Sequence, residues 1–178
     1  SVAIQIDAGL AFGTGNHETT QGCLMALEAV MADRPPASTI DIGTGSGILA
    51  IAVAKRFDVD VLASDIDPIA IDVARENAVI NGVEARIRFV VSDGLEAPEI
   101  ASLAPYDLIL ANIVANPLIA LAPGISGIAA IGGHVILSGI LLEQADGVTA
   151  AYAEGGLLLK DRFDLGNWST LVLMRPEV

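Results

Sequence analysis

Short apolar runs alternating with stretches of helical periodicity define the architecture that this chain predicts. Residues 39–42, 59–64, 86–91, 107–111 and 134–138 are dense in Val, Ile, Leu and Ala. Runs of that kind are what strands covered on both faces of a parallel sheet look like. Between or beside them, residues 18–31, 48–56, 69–80, 118–130 and 143–153 read as helices; in the first, Leu24, Leu27 and Met31 recur at helical spacing. Asp33-Arg34-Pro35-Pro36 stops that helix, Asp67-Pro68 supplies an N-cap with Pro at the first helical position, and Asn81-Gly82 is a C-terminal stop. Two final runs, 157–163 and 169–174, flank Asp164-Leu165-Gly166-Asn167-Trp168 and predict an antiparallel hairpin. The expected fold is therefore α/β: a seven-stranded, mostly parallel sheet with an antiparallel edge hairpin and helices on both faces. Residues 2–6 predict a further short strand. Residues 1–36 (strand, Gly/Thr-rich loop, helix) and 37–178 (the sheet core) are expected to form one domain.

Composition changes this picture in two places. Hydrophobic residues make up 53% of the 178, mean hydropathy is +0.61, and no Asp, Glu, Lys or Arg occurs from Leu108 to Leu142. Asn112, Asn116, Pro117, Pro123, Gly132 and Gly133 interrupt that stretch, so no apolar run of about 18 residues survives to span a membrane. The net charge of −13 arises from nine Lys plus Arg against twenty-two acids. Without a basic cluster, direct nucleic-acid binding is not expected, whereas a basic protein partner is permitted. The single cysteine, Cys23, excludes an internal disulfide and reads as a small buried residue in an apolar helix. No signal peptide is visible and the chain opens Ser-Val, so a processed protein or an excised domain, located in the cytoplasm, is expected.

The chemistry centres on Thr39-Ile40-Asp41-Ile42-Gly43-Thr44-Gly45-Ser46-Gly47-Ile48-Leu49. A strand, a turn of alternate glycines and a helix N-terminus allow backbone N–H groups to approach a ligand at the carboxyl edge of the sheet. A dinucleotide fingerprint requires glycine where Ile48 stands, and Asp41 would repel a pyrophosphate; a phosphate-binding Gly-Lys-Ser/Thr is also lacking. An acid followed by G-x-G-x-G suits a nucleoside with a cationic or zwitterionic tail, a description that S-adenosylmethionine meets. Asp65, 22 residues after Gly43 and ending the second strand, is positioned to accept both ribose hydroxyls. Asp93 in Ser92-Asp93-Gly94 can accept the adenine amine or serve a turn, and Asn112 ends the fourth strand at the same edge. Thr14, Thr19 and Thr20 can cap the first helix, or their loop can lie over a ligand. His17 reads as a loop-ordering residue in preference to a base, and His134 as structural. No His/Cys/carboxylate cluster has metal-ligand spacing, so no metal is expected.

These residues resemble class I S-adenosylmethionine-dependent methyltransferases, whose fold is Rossmann-like. More narrowly, the chain is similar to the ribosomal protein L-eleven methyltransferases (PrmA type). The resemblance is carried by Gly9-Leu10-Ala11-Phe12-Gly13-Thr14-Gly15-x-His17-x-Thr19-Thr20, Asp65-Ile66-Asp67-Pro68, Asn81-Gly82-Val83, Ala111-Asn112-Ile113 and Ser138-Gly139-Ile140-Leu141, in family order across the chain. It implies that Thr20, Gly43, Asp65 and Asn112 contact the cofactor or lie beside the transferred methyl group. It also implies methylation of lysine and N-terminal amines on a ribosomal protein. The family's substrate-recognition domain and linker have no counterpart here, so a catalytic domain alone is expected, truncated or naturally single. The full expected cofactor set is Thr20, Asp41, Gly43, Gly45, Asp65, Ile66, Asp93 and Asn112, with Asn112 also orienting the attacking amine. The rival readings are a single-domain lysine methyltransferase for another protein, an NAD-dependent oxidoreductase, and a non-catalytic cofactor- or protein-binding module.

Overall fold

The computed structural model describes residues 17–32 and 34–177. The expected strand at 2–6 and the glycine- and threonine-rich residues up to Asn16 lie outside that set. In chain order the elements are α1 (His17–Val30), β1 (Thr39–Ile42), α2 (Ile48–Phe57), β2 (Val61–Asp65), α3 (Pro68–Ile80), β3 (Ile87–Val91) and α4 (Pro98–Leu103). There follow β4 (Tyr106–Asn112), α5 (Ala115–Ile128), β5 (Ala129–Leu141), a 3₁₀ turn at Leu142–Gln144, α6 (Ala145–Glu154), β6 (Leu158–Leu165) and β7 (Trp168–Met174). One seven-stranded sheet runs β3-β2-β1-β4-β5-β7-β6, with β7 antiparallel to both of its neighbours and every other pairing parallel. The expected fold class is what the chain adopts.

Both faces of the sheet are covered, which explains why the strands read as unbroken apolar runs. Along β4, Leu108 and Leu110 pack with Cys23 and Leu27 of α1 and Ile51 of α2. Ile109 and Ala111, pointing the other way, pack with Leu118 and Ile125 of α5 and Val148 of α6. Tyr106 and Tyr152 are both fully buried, and their hydroxyls donate to the carbonyls of Ile100 and Leu118, each at 2.7 Å. The polar ends of two large side chains are thereby satisfied inside the second layer.

Local signals account for most boundaries. Asp67 caps α3, its Oδ1 accepting the Ile69 N–H at 2.9 Å ahead of Pro68, and Gly82 takes φ +71 at the expected stop. Three elements differ from expectation. Helix α4 was not foreseen: it has six residues and only Ile100 is buried, too little for a periodicity to register. Helix α5 begins at Ala115 and not at 118, because Pro117 sits in its first turn, where a missing N–H costs nothing. Strand β5 extends over 13 residues, well beyond 134–138, and runs through Gly132 and Gly133.

Candidate functional site

On one side β1 leads to β2, and on the other it pairs with β4. The crevice beyond the carboxyl ends of these strands is the switch point at which open α/β sheets hold ligands. The turn after β1 is built from glycine because its backbone requires it: Gly43, Gly45 and Gly47 have φ of +69, +58 and +87. A Cβ on Gly43 would lie 2.6 Å from Ile113 Cγ2, so glycine also keeps the crevice open there. The turn is tied to the next strand, since Thr44 N–H donates to the Ser64 carbonyl at 2.8 Å.

Two acids flank this turn in different roles. Asp65, half-buried, accepts the Gly45 N–H at 2.9 Å through Oδ2 and the Asp67 N–H at 3.0 Å through Oδ1. A carboxylate has about four acceptor positions, so roughly two remain for a ligand. Asp41 is only 1% exposed and accepts the Thr44 hydroxyl at 2.7 Å. Burial pushes its carboxyl up to about 7; the Thr44 hydroxyl and the Ala50 N–H pull the other way, and the charge of Asp65 adds to the rise.

A cavity of about 540 Å³ opens at this edge, lined among others by Gly43, Asp65, Ile66, Asp93, Ile113 and Leu121. Four of the expected residues, Gly43, Asp65, Ile66 and Asp93, therefore share one wall system. Ser92 is spent on its own turn, donating to the Gly94 carbonyl at 2.9 Å and accepting the Ala97 N–H at 3.0 Å, while Asp93 stays exposed on the cavity. Ile66 is 64% exposed and lines the cavity, so its side chain offers an apolar surface there. An acid with acceptor capacity and a second acid on one largely apolar lining complement a vicinal diol attached to an aromatic ring that carries an amine. The residues present fit the adenosine part of S-adenosylmethionine.

Thr20, Asp41, Gly45 and Asn112 do not line that cavity. Gly45 is joined to it through Asp65. Asn112 belongs to a second group, on the α1 face of the sheet. It is 8% exposed, and its Nδ2 donates to the Thr19 hydroxyl at 3.4 Å. Thr19 is the buried threonine of the pair and Thr20 is half-buried, so the contact to Asn112 is made by the neighbour of the residue expected from sequence. Ser138 and Thr170 complete this group, their hydroxyls 2.8 Å apart, and Ser138 reaches the Thr19 carbonyl at 3.3 Å. Sequence reading did not find Ser138, Thr170 or the role of Gly139. At φ +82, Gly139 lies so close to the Ile113 carbonyl that any Cβ would overlap it. The clue available was the run Ser138-Gly139 at a strand end, where glycine marks close backbone approach.

Of the remaining candidates, Cys23 is buried, its thiol pushed up to about 12 by desolvation, which makes it inert. His17 is exposed at the start of α1. His134 lies near the middle of β5, its Nε2 3.5 Å from Lys160 Nζ, and burial together with that cation lowers its pKa. Among the described residues no group of three or more His, Cys, Asp or Glu can hold a metal ion, and no helix is long and apolar enough to cross a membrane.

The family model described as ribosomal protein L11 methyltransferase (PrmA) matches residues 1–176. The ribosomal protein L11 methyltransferase of Brucella suis is 49% identical over 172 residues, 97% of this chain and 60% of that protein. The one from Mesorhizobium japonicum is 53% identical over 151 residues, 85% of this chain and 52% of that protein. The chain thus spans little more than half the length of these curated relatives. A crystal structure of ribosomal protein L11 methylase from Lactobacillus delbrueckii subsp. bulgaricus superposes with a TM-score of 0.87 at 37% identity, covering 97% of this chain and 85% of that one. The N-methyltransferase NodS of Bradyrhizobium japonicum, solved with S-adenosylhomocysteine, shares the fold at a TM-score of 0.72 and 16% identity, covering 91% and 89%. By the extent of these matches, the chain belongs to the ribosomal protein L11 methyltransferase (PrmA) family.

Proposed function

We propose that this chain is the methyl-transferring part of an S-adenosylmethionine-dependent protein methyltransferase acting on lysine and N-terminal amines of ribosomal protein L11, in the cytoplasm. The observation that carries the reading is Asp65, an acceptor with spare capacity at the switch point, tied to the glycine turn and facing an apolar slot. When bound, S-adenosylmethionine supplies a methyl group already activated on a sulfonium. Asp65 accepts the ribose hydroxyls, Ile66 covers one face of the adenine, and Asp93 accepts from its amine. Gly43 and Gly45 let the backbone approach the methionine portion, while Thr20, at the first turn of α1, borders it. Asp41, under the turn, contributes negative potential toward a cationic tail.

Transfer then depends on alignment. A lysine amine, with an ordinary pKa of about 10.4, attacks only when neutral, and apolar Ile113 and Val114 beside Asn112 favour that form. Asn112 Oδ1 accepts a hydrogen bond from the amine and points its lone pair along the line of attack; holding the partners in this geometry is the main contribution to rate. Asn112 has no pKa that suits a base, so it orients and does not deprotonate. Residues 1–36 and 37–178 are read as one domain, a reading supported by the packing of α1 against β5, β6 and β7. Neither nucleic acid nor membrane is a partner in this reading.

Titration calorimetry with S-adenosylmethionine and S-adenosylhomocysteine, wild type against Asp65→Ala, tests it first. Loss of two charge-assisted hydrogen bonds is expected to weaken binding by roughly 100-fold or more. Binding of NAD in their place, or equal affinity of the variant, would refute the assignment. Methyl transfer from radiolabelled S-adenosylmethionine to L11, and not to an unrelated lysine-rich protein, tests the acceptor.

A further inference from the structure

Under α1 lies a buried polar layer that the cofactor reading does not use. Ser138 is 0% exposed, Thr19 and Thr170 are each 2% exposed, and Asn112 is 8% exposed. Buried polar side chains add little net stability compared with apolar packing. A cluster of them under one helix therefore calls for a reason other than cohesion.

The hydrogen-bond directions follow from chemistry. A backbone carbonyl only accepts, so with Ser138 donating to Thr19 O its hydroxyl oxygen accepts from Thr170, and the Cys23 thiol borders the same hydroxyl. Asn112 Nδ2 donates to Thr19 Oγ1. The result is a directed chain from the sheet through the first turn of α1 to Asn112: Thr170 to Ser138, Ser138 to the Thr19 backbone, and Asn112 to the Thr19 side chain. The short link, 2.8 Å, lies within the sheet, and the two longer ones, 3.3 and 3.4 Å, lie in the joint with α1. The seat is thus built into β5 and β7, and the helix docks on it.

Two glycines make that docking possible. A Cβ on Gly22 would overlap Thr170 Oγ1, so the α1 backbone comes down directly on the hydroxyl. At Gly139 an added Cβ would overlap the Ile113 carbonyl and lie 3.3 Å from Asn112 Oδ1, so the strand backbone packs directly beside the amide oxygen. Pinning Nδ2 on Thr19 leaves Oδ1 as the end of the amide turned away from that hydroxyl.

We propose that Thr19 and Ser138 are positioning residues for methyl transfer: seated on Thr170, Ser138 fixes the first turn of α1, and Thr19 turns the Asn112 amide so that Oδ1 and not Nδ2 meets the attacking amine. The proposal rests on the reading of Asn112 as the amine-orienting group. An amide turned the other way would present a donor to the amine and repel its hydrogens. The effect of losing Thr19 is therefore on the transfer step, not on cofactor affinity.

The test compares Thr19→Val, Thr19→Ser, Ser138→Ala and Asn112→Ala. In ¹⁵N–¹H spectra of the ligand-free chain, the hydrogen-bonded Asn112 side-chain amide proton is expected to move upfield in Thr19→Val and to stay in place in Thr19→Ser. With S-adenosylmethionine and L11, Thr19→Val and Ser138→Ala are expected to lower kcat roughly 10- to 100-fold, the scale of a misplaced reacting group. The KM for S-adenosylmethionine should stay within about twofold, and Thr19→Ser should restore most of the rate. An unmoved Asn112 resonance, or a Thr19→Val kcat within twofold of wild type, overturns the proposal. Full transfer by Asn112→Ala would instead remove the reading on which it rests. If Ser138→Ala fails to fold, the Thr19 pair alone decides.

Discussion

Asp41→Asn is expected to change how stability depends on pH, and the structure gives the size of the effect. The carboxyl is 1% exposed, holds one side-chain hydroxyl at 2.7 Å and one backbone N–H, and has no cation beside it among the described residues. Its pKa rises from 3.8 to about 7 in the folded chain, with burial as the largest cause. Because the folded value is the higher one, the folded state holds the proton longer than the unfolded state. Stability contributed by this group is fully present below pH 3.8 and is lost as pH rises to about 7. A rise of about three units corresponds to a loss on the order of 4 kcal/mol above neutrality. With a pI of 4.2, solubility favours working from pH 5 upward, where roughly 2.5 kcal/mol of that loss falls between pH 5 and 8. Asparagine keeps the shape and cannot ionise, so the variant should gain on wild type by this amount over that interval. In urea titrations at fixed ionic strength the gap in midpoint should widen by roughly 1 M, taking a slope near 2 kcal/mol per M. A gap constant across the interval would refute the argument, because it would mean that Asp41 is already charged at pH 5. Saturating S-adenosylmethionine, a cation near the turn, should shrink the gap by favouring the charged carboxylate.

Gly139→Ala and Gly82→Ala separate a close approach from a backbone angle alone. Both glycines have positive φ, +82 and +71, but a Cβ overlaps the Ile113 carbonyl at the first and meets nothing within 4 Å at the second. Denaturant melts should show a loss of about 1 kcal/mol for Gly82→Ala and at least about 3 for Gly139→Ala; equal losses would contradict the contact. Tyr152→Phe removes only the hydroxyl donated to Leu118 at 2.7 Å and should cost about 1 kcal/mol in the same assay, with no change in cofactor affinity by calorimetry.

Local chemistry made much of this protein legible from its residues in order. The alternate glycines 43, 45 and 47 announced a turn with positive φ, Asp67-Pro68 announced a capped helix, and Asp65 ended a strand whose register puts it one step beyond Ser64 and Ile42. These signals act within a few residues, where periods of 2 and 3.6 and steric limits on φ decide the outcome. Partners across long separations were not legible. Thr19 meets Asn112 across 93 residues and Ser138 across 119, and nothing local distinguishes Thr19 from Thr20. Which of two adjacent threonines is buried depends on how α1 rotates on the sheet, and that rotation is fixed by a glycine at 22 lying on the hydroxyl of Thr170. Sequence by itself determined the layers, the glycine turn and the acid beside it, because each is a choice the backbone makes with its neighbours. Tertiary structure alone decided the cavity, the raised pKa of Asp41 and the polar seat under α1, because burial and hydrogen-bond geometry arise only when distant segments close on one another.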